Sequence, residues 1–183
     1  MTVDREQVLR AAATQLSRKP TATMDEVAKA AGIGRATLHR HFAGREPLVR
    51  ALEELGLREI EAAMESARLD EGSAADALRR LVAESQSCAG LLSFLISEHQ
   101  LFEGEVNEGW DRCDARICRL VRRGQEEGVF RIDLTAAWIT EALYGLMSAY
   151  AWSVMAGRVA AKDYSYMIAE MVLGGITRRS VQK

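Results

Sequence analysis

Apolar residues recur at the spacing of an α-helix along almost the whole chain, and this feature limits the possible folds most strongly. Proline occurs only twice among the 183 residues, so little in the sequence interrupts long helices. No segment shows the strict alternation expected of a half-buried strand. The first helical segment illustrates the pattern, because its apolar residues share one face: Val8, Leu9, Ala12, Ala13 and Leu16. The sequence therefore predicts an all-α fold of about nine helices.

Two short helices joined by a tight turn are predicted after the first helix. Thr23 and Glu26 have the spacing of a capping box, in which each side chain accepts a hydrogen bond from the other residue's backbone N–H. Gly32 stands where a helix ends in the left-handed conformation. Leu38 and Phe42 are four residues apart and so share one face of the second short helix, and we expect them to pack that face against the other helices. This arrangement predicts a helix-turn-helix, whose second short helix enters the major groove of DNA.

The outer face of the second short helix presents hydrogen-bond donors and no acidic side chain. Such a surface suits phosphate oxygens and base edges, whereas the alternative interpretation is an ordinary solvated helix surface. The donor residues of this segment are Arg35, Thr37, His39, Arg40, His41 and Arg45. The turn glycine, the capping box and the buried pair together favour DNA binding.

Charge is distributed unevenly along the chain, although the formal net charge is only −2. Residues 1–50 hold nine Lys and Arg against five Asp and Glu. Residues 51–183 hold 15 Lys and Arg against 21 Asp and Glu. A basic amino-terminal segment on an acidic body indicates an anionic partner at the basic end, and double-stranded DNA fits that description.

Cysteine usage and hydropathy predict a cytoplasmic protein that does not enter a membrane. Cys88, Cys113 and Cys118 have no disulfide-framework spacing, and we expect them to be structural rather than redox-sensing. The longest uncharged stretch, residues 142–157, is shorter than the roughly 20 apolar residues that a membrane span needs. The sequence contains no phosphate-binding glycine loop, no metal-ligand cluster and no paired nucleophile and base. We therefore expect no enzymatic activity, no metal and no cofactor.

Residues 23–48 resemble the DNA-binding segment of the TetR family of bacterial transcriptional regulators. The family pattern is a Thr-capped helix, a turn of Ala-Gly-hydrophobic-Ser, the run Thr-Leu-Tyr-x-His-Phe, and then Ser/Asn-Lys-Glu-x-Leu. The residues that match it are Thr23, Ala31, Gly32, Ile33, Thr37, Leu38, His41, Phe42, Glu46 and Leu48. Residues 128–133 also resemble the family's Gly-x-Leu-Arg-x-Asp link before the last two helices. The resemblance implies a helix-turn-helix domain over residues 1–46 and an effector-binding and dimerisation domain over residues 47–183.

The resemblance also implies roles for individual residues of the DNA-binding segment. Phosphates would be held by Thr23, Thr37, His41 and Arg45. Base edges would face Arg35, Ala36 and His39, with Arg40 alongside. Arg35 is the candidate that reads guanine, because its guanidinium can donate two parallel hydrogen bonds to that base. Four residues depart from the family pattern: Gly34 and Gly44 replace Ser or Asn caps, His39 replaces Tyr, and Arg45 replaces Lys.

The last two predicted helices contain small residues that allow helices to approach closely. One stripe of the helix predicted over residues 134–157 carries Ala142, Gly145, Ala149 and Ala156, and the last helix carries Gly174 and Gly175. A four-helix dimer interface requires such close approach, although intramolecular packing would explain the same residues. The family resemblance implies the homodimer, and a two-fold dimer predicts a palindromic operator.

A small-molecule effector is implied by the resemblance, and the sequence does not identify it. Binding pockets are mostly apolar and contain a few polar groups, so aromatic, Met, Ile, His and Cys residues of the body are the candidates. They are Phe94, His99, Trp110, Cys113, Ile117, Tyr144, Met147 and Trp152. Ordinary core packing is the alternative for each of them. We thus expect a repressor that leaves its operator when the effector binds, the alternative being an architectural DNA-binding protein with a filled core.

Overall fold

The computed structural model describes residues 4–97 and 108–177, and helices account for nearly all of its regular structure. These ranges contain nine α-helices: α1 (Arg5–Arg18), α2 (Met24–Ala30), α3 (Arg35–His41), α4 (Arg45–Ala67), α5 (Ala74–Glu84), α6 (Ala89–Ser97), α7 (Glu108–Glu126), α8 (Ala136–Met155) and α9 (Tyr164–Ile176). Short 3₁₀ turns lie at Ser85–Ser87 and Ala161–Asp163. The predicted all-α class and number of helices are confirmed.

Several helices begin where a short polar side chain can cap them. The Ser73 hydroxyl accepts a hydrogen bond from the Asp76 backbone N–H at 3.1 Å, and α5 starts there. The Thr135 hydroxyl accepts one from the Trp138 backbone N–H at 3.2 Å at the start of α8. Such caps satisfy N–H groups that the first turn of a helix leaves without a partner.

Buried apolar side chains form two clusters, which connect the head (α1–α3) to the body (α4–α9). The head cluster joins α1, α2, α3 and the first half of α4 to three residues of α6, namely Leu91, Phe94 and Leu95. The body cluster joins the second half of α4 to α5, α7, α8 and α9, and α6 contributes Ala89 and Leu92 to it. Trp110 of α7 packs against both clusters. Since α4 and α6 enter both clusters, they fix the position of the head on the body.

The link between α7 and α8 holds the last two helices against the rest of the body. The Gly124 carbonyl accepts hydrogen bonds from the backbone N–H groups of Val129 and Phe130, at 3.0 and 2.8 Å. A Cβ atom at Gly124 would overlap the buried ring of Phe130, so only glycine allows this approach. The Arg131 backbone N–H donates to the Ile176 carbonyl at 2.7 Å. The link thereby ties the end of α7 to the end of α9.

The last two helices expose an apolar face. Trp138 and Trp152 are exposed on α8, and Tyr166, Met167 and Met171 are exposed on α9. The small residues Gly145, Ala149, Gly174 and Gly175 of these helices are also exposed, as is Ala156 at the end of α8. A contiguous exposed apolar surface is typical of a protein–protein interface. None of the helices in the two described ranges combines the length and the hydropathy needed to cross a membrane.

Candidate nucleic-acid interface and internal cavity

The capping box predicted at the start of α2 is confirmed. The Thr23 hydroxyl accepts a hydrogen bond from the Glu26 backbone N–H at 3.3 Å, and Glu26 Oε2 accepts one from the Thr23 backbone N–H at 2.8 Å. Lys19 Nζ lies 2.6 Å from Glu26 Oε1. Hydrogen bonds from Lys19 and from the Thr23 backbone lower the pKa of Glu26 to about 2, so its carboxylate is charged at neutral pH. Thr23 is thus exposed but already bound within the protein.

The turn between α2 and α3 has the geometry that the glycine predicts. Gly32 adopts a φ of 69°, which is the left-handed conformation expected at this position. The Ile33 backbone N–H donates to the Ala28 carbonyl at 3.0 Å and closes the end of α2. Gly34 then precedes α3 without a side-chain cap. These residues set the direction in which α3 leaves the turn.

α3 presents one side to the head cluster and the other to solvent. Leu38 and Phe42, the predicted inner pair, are buried, and the Arg5 guanidinium carbon lies 4.8 Å from the centre of the Phe42 ring. The exposed residues of the outer side are Arg35, Ala36, His39 and Arg40, whereas Thr37 and His41 are half-buried. The four residues expected at base edges therefore share one solvent-exposed side of the helix.

Arg35 forms an ion pair with Asp25 of α2. Its Nε lies 3.3 Å from Asp25 Oδ1, and both side chains are exposed. An exposed pair of this kind contributes about 0–1 kcal/mol, so DNA can displace the carboxylate at little cost. Arg40 Nη2 also donates to the Thr37 hydroxyl at 3.0 Å. α3 itself carries no acid, as predicted, but the sequence pattern does not reveal that α2 supplies one.

Arg45, at the start of α4, binds backbone carbonyl groups of the α1–α2 connection. Its two terminal nitrogens donate to the carbonyl oxygens of Ala22 and Pro20, at 3.1 and 2.7 Å. The side chain is half-buried as a result. This structural role is not indicated by the sequence, and the phosphate contact implied by the family resemblance stays a prediction.

Comparisons with known proteins agree with this geometry. Residues 8–52 match the family model described as bacterial regulatory proteins, tetR family. The chain is 33% identical over 173 residues to the HTH-type transcriptional regulator NfxB of Pseudomonas aeruginosa, which covers 93% of this chain and 92% of NfxB. The chain belongs to the TetR family. This TetR-family protein is accordingly a ligand-responsive, DNA-binding transcriptional regulator and not an enzyme, as predicted.

A second relative, LfrR, is similar to this chain over most of its length, both in sequence and in structure. The HTH-type transcriptional repressor LfrR of Mycolicibacterium smegmatis is 31% identical over 160 residues, which is 87% of this chain and 79% of LfrR. The crystal structure of the TetR-like regulator LfrR from Mycobacterium smegmatis in complex with proflavine has a TM-score of 0.77 and 28% identity, covering 96% of this chain and 97% of that one. The family resemblance found in the sequence is therefore confirmed.

The body of this TetR-family regulator contains a partly enclosed cavity of about 180 Å³ between α6, α7 and α8. Its lining residues are Leu92, Ile96, Trp110, Asp114, Glu141, Tyr144 and Gly145. The Tyr144 hydroxyl donates a hydrogen bond to Asp114 Oδ1 at 2.8 Å. Burial raises the pKa of Asp114, and the hydrogen bond from Tyr144 opposes this shift. Burial and the neighbouring carboxylate raise the pKa of Tyr144, so its hydroxyl keeps its proton.

The residues expected to contact an effector fall into several environments. Trp110 and Tyr144 line the cavity. Cys113, Ile117 and Met147 are buried in the body cluster, and Phe94 is buried in the head cluster. Trp152 is 56% exposed, because it lies two turns beyond Tyr144 and about 80° further around α8. His99 lies outside the described residues.

Two carboxylates of the cavity, Asp114 and Glu141, are missing from the residues that the sequence suggested. Charged residues on an amphipathic helix are usually solvated, which is why the pattern did not single them out. A usable signal was the spacing of Trp110 and Asp114, since residues four apart lie on the same side of a helix.

The cysteines lie in positions that suit a structural role. Cys88 and Cys113 are buried, and Cys118 is half-buried. Burial raises the pKa of Cys88 to about 12 and that of Cys113 to about 11. Both buried side chains are therefore protonated thiols at neutral pH, and thiols react with oxidants far more slowly than thiolates.

We expect Arg45→Ala to destabilise the protein, because it removes two hydrogen bonds from a guanidinium to backbone carbonyls. The expected loss is about 1–3 kcal/mol, and each kcal/mol lowers the Tm of a chain this long by roughly 2–4 °C. Arg50→Ala is the matched control, since Arg50 is exposed on the same helix and pairs there with the exposed Glu46. Thermal unfolding followed by circular dichroism compares the two variants. Equal Tm values for both would contradict the structural role of Arg45.

Proposed function

We propose that this regulator is a homodimeric repressor, which binds a palindromic operator and leaves it when a small molecule occupies the cavity. The observation that carries the proposal is the position of α6. Its residues Leu91, Phe94 and Leu95 lie in the head cluster, whereas Leu92 and Ile96 line the cavity. One short helix therefore contacts both the DNA-binding head and the bound ligand, so a ligand that shifts α6 also shifts the head.

In this proposal α3 enters the major groove of double-stranded DNA. Base edges face Arg35, Ala36 and His39, with Arg40 alongside. Phosphates are held by Thr37 and His41, together with Thr23 and Arg45. The exposed outer side of α3 and its firmly buried inner pair support these roles. Ala36 is too short to donate a hydrogen bond, but its methyl group can contact that of thymine.

The proposed dimer interface is the exposed apolar face of α8 and α9. Met171 is 64% exposed and Trp152 is 56% exposed, although both are large and apolar. A second copy of the chain would bury these side chains around the small residues Gly145 and Ala149. A two-fold dimer presents its two α3 helices symmetrically, which requires a palindromic operator with half-sites near multiples of one DNA turn.

Trp110 is the proposed connection between the cavity and α4. It lines the cavity and packs against both hydrophobic clusters. A Cβ atom at Gly56 of α4 would lie 2.8 Å from Leu95 Cδ1 and 3.7 Å from Trp110 Cη2. The backbone of α4 therefore approaches α6 and α7 closely, and a displaced Trp110 pushes on the helix that carries the head. The ligand acts only through its different affinities for the DNA-bound and DNA-free states.

The cavity is favoured over a larger, more open groove between α1, α6 and α8. That groove has a volume of about 500 Å³ and includes Ser17, Arg18 and Tyr150 in its wall. The Tyr150 hydroxyl already donates to the Ala160 carbonyl at 2.8 Å. The smaller cavity combines a polar pair with apolar walls, as small-molecule sites do. Its place in a fold similar to that of LfrR, a protein solved with proflavine, supports a ligand-binding role.

We further propose that the regulator acts in the cytoplasm, where it has access to chromosomal DNA. Its DNA-binding domain spans residues 1–46, and its effector-binding and dimerisation domain spans residues 47–183. The boundary falls at the start of α4, because α3 ends at His41 and α4, which begins at Arg45, continues into the body.

We expect Arg35→Ala to lower the affinity for the operator by about 1–3 kcal/mol and to relax its sequence specificity. The probe is the DNA immediately upstream of the regulator's own gene, titrated by fluorescence anisotropy with random DNA as competitor and at several salt concentrations. Arg79→Ala is the control, because it removes an exposed arginine from α5, outside the head. An equal loss on both DNAs would contradict a base-reading role. If the wild-type protein bound both DNAs equally and weakly, that would contradict an operator at this locus.

We expect Met171→Glu to weaken the dimer, because association would bury an unpaired carboxylate. Sedimentation velocity should show a wild-type dimer and a monomeric variant at the same concentration. Ala83→Glu is the matched control, since it adds a carboxylate at an exposed position of α5. A wild-type monomer, or a dimer that Met171→Glu leaves unchanged, would contradict the proposed interface.

A further inference from the structure

The cavity between α6, α7 and α8 places two carboxylates beside aromatic and apolar walls. Asp114 is half-buried in α7, and Glu141 of α8 is exposed at the edge of the cavity. Trp110 and Tyr144 supply aromatic rings. No lysine, arginine or histidine belongs to the part of the wall that the structure describes. The cavity therefore presents negative charge to whatever occupies it.

The Asp114 carboxylate has no positively charged partner among the residues described. The arginines of α7 on either side of it point to α4 instead, since Arg112 pairs with Glu61 at 3.5 Å and Arg116 pairs with Glu65 at 2.8 Å. The nearby charge that acts on Asp114 is the carboxylate of Asp111, which repels it. Partial burial of a charged carboxylate costs free energy when no positive charge lies nearby. A bound cation would offset that cost.

Trp110 contributes an indole ring to the wall of the cavity. Its N–H is buried within the protein and has no hydrogen-bond partner among the described residues, so the ring face is what Trp110 offers a bound molecule. The face of an indole ring also attracts cations more strongly than other aromatic rings do. The cavity volume of about 180 Å³ takes one flat ring, since an engineered apolar cavity of roughly 150 Å³ holds benzene, and the open side of the cavity leaves room for the remaining rings of a fused system.

We infer that the effector is a planar aromatic cation, whose positive charge pairs with Asp114 and Glu141 and whose ring lies against Trp110 and Tyr144. The inference rests on the proposed function, because it names the chemical class that the proposed effector site takes. It adds the sign of the ligand's charge to the proposed function. The Asp114 carboxylate supplies that selectivity, since a neutral ring of the same shape would leave it without a positively charged partner.

The test compares proflavine, a planar tricyclic cation, with acridone, a neutral ring system of similar shape. Binding to the full chain is measured by isothermal titration calorimetry without DNA, because planar cations also intercalate into DNA. We expect proflavine to bind the wild-type protein roughly 10- to 100-fold more tightly than acridone, as one charge-assisted hydrogen bond allows. Equal affinities, or no binding of proflavine, would overturn the inference.

Substitutions then identify the carboxylate that makes the cavity prefer a cation over a neutral ring. Asp114→Asn keeps an acceptor for the Tyr144 hydroxyl, so the fold is preserved, and we expect it to lower the proflavine affinity roughly 10- to 100-fold while leaving acridone unchanged. Glu141→Gln should cause a smaller loss, because the exposed carboxylate is screened by solvent. Glu126→Gln is the matched control, since Glu126 is exposed on α7, does not line the cavity and lies twelve residues from Asp114. Equal losses for Glu126→Gln and Asp114→Asn would overturn the assignment of the site.

A second experiment distinguishes an error in the cationic ligand class from an error in the proposed effector-driven release of the operator. Operator affinity is measured in the presence of each compound, for the wild-type protein and for Asp114→Asn. Intercalation of the dye into the DNA affects both measurements equally, so a difference between the two proteins reports on binding at Asp114. If acridone binds better and also releases the operator, the proposed function is supported and the cationic class is wrong. If proflavine binds through Asp114 but leaves operator affinity unchanged, the cation site is supported and effector-driven release is wrong.

Discussion

The packing of α1–α3 against α4 and α6 is the interaction on which the rest of the structure depends. Three helices of 7 to 14 residues have too little apolar surface to form a stable core alone. Leu91, Phe94 and Leu95 of α6 complete that core from the body, and burying each such side chain contributes about 1.5–3 kcal/mol. The orientation of α3 is therefore set by helices that lie outside the DNA-binding segment. A displacement of α4 or α6 therefore shifts α3 as well.

This dependence supports the proposal that a ligand in the body cavity controls the DNA-binding surface of the head. Leu92 and Ile96 of α6 line the cavity on the same short helix whose other residues complete the head cluster. Trp110 packs against both clusters, and Gly56 lets the backbone of α4 come close to it. A ligand can therefore bias the position of the head without contacting it. Because binding free energies are linked, the two effects are equal in size. Operator DNA must lower the affinity for the ligand by the same factor by which the ligand lowers the affinity for the operator.

Local signals in the sequence predicted much of the fold and the outline of the DNA-binding surface. The capping box at Thr23, the turn at Gly32 and the buried pair of Leu38 and Phe42 depend on residues within a few positions of one another. The features that the sequence did not reveal depend on contacts between distant segments. Arg45 reaches the carbonyl oxygens of Pro20 and Ala22, which lie 25 and 23 residues away, and the acid that pairs with Arg35 belongs to α2. Asp114 and Tyr144 meet across 30 residues, so periodicity alone could not place them in one cavity.

The most direct test of coupling between cavity and head is amide hydrogen exchange of the DNA-free dimer, measured by mass spectrometry before and after saturation with proflavine. The coupling described above predicts that exchange changes in the cavity helices α6–α8, and also in α4 and in the head helices α1–α3, which do not contact the ligand. Changes confined to α6–α8, with α1–α3 exchanging at the same rates in both samples, would contradict it.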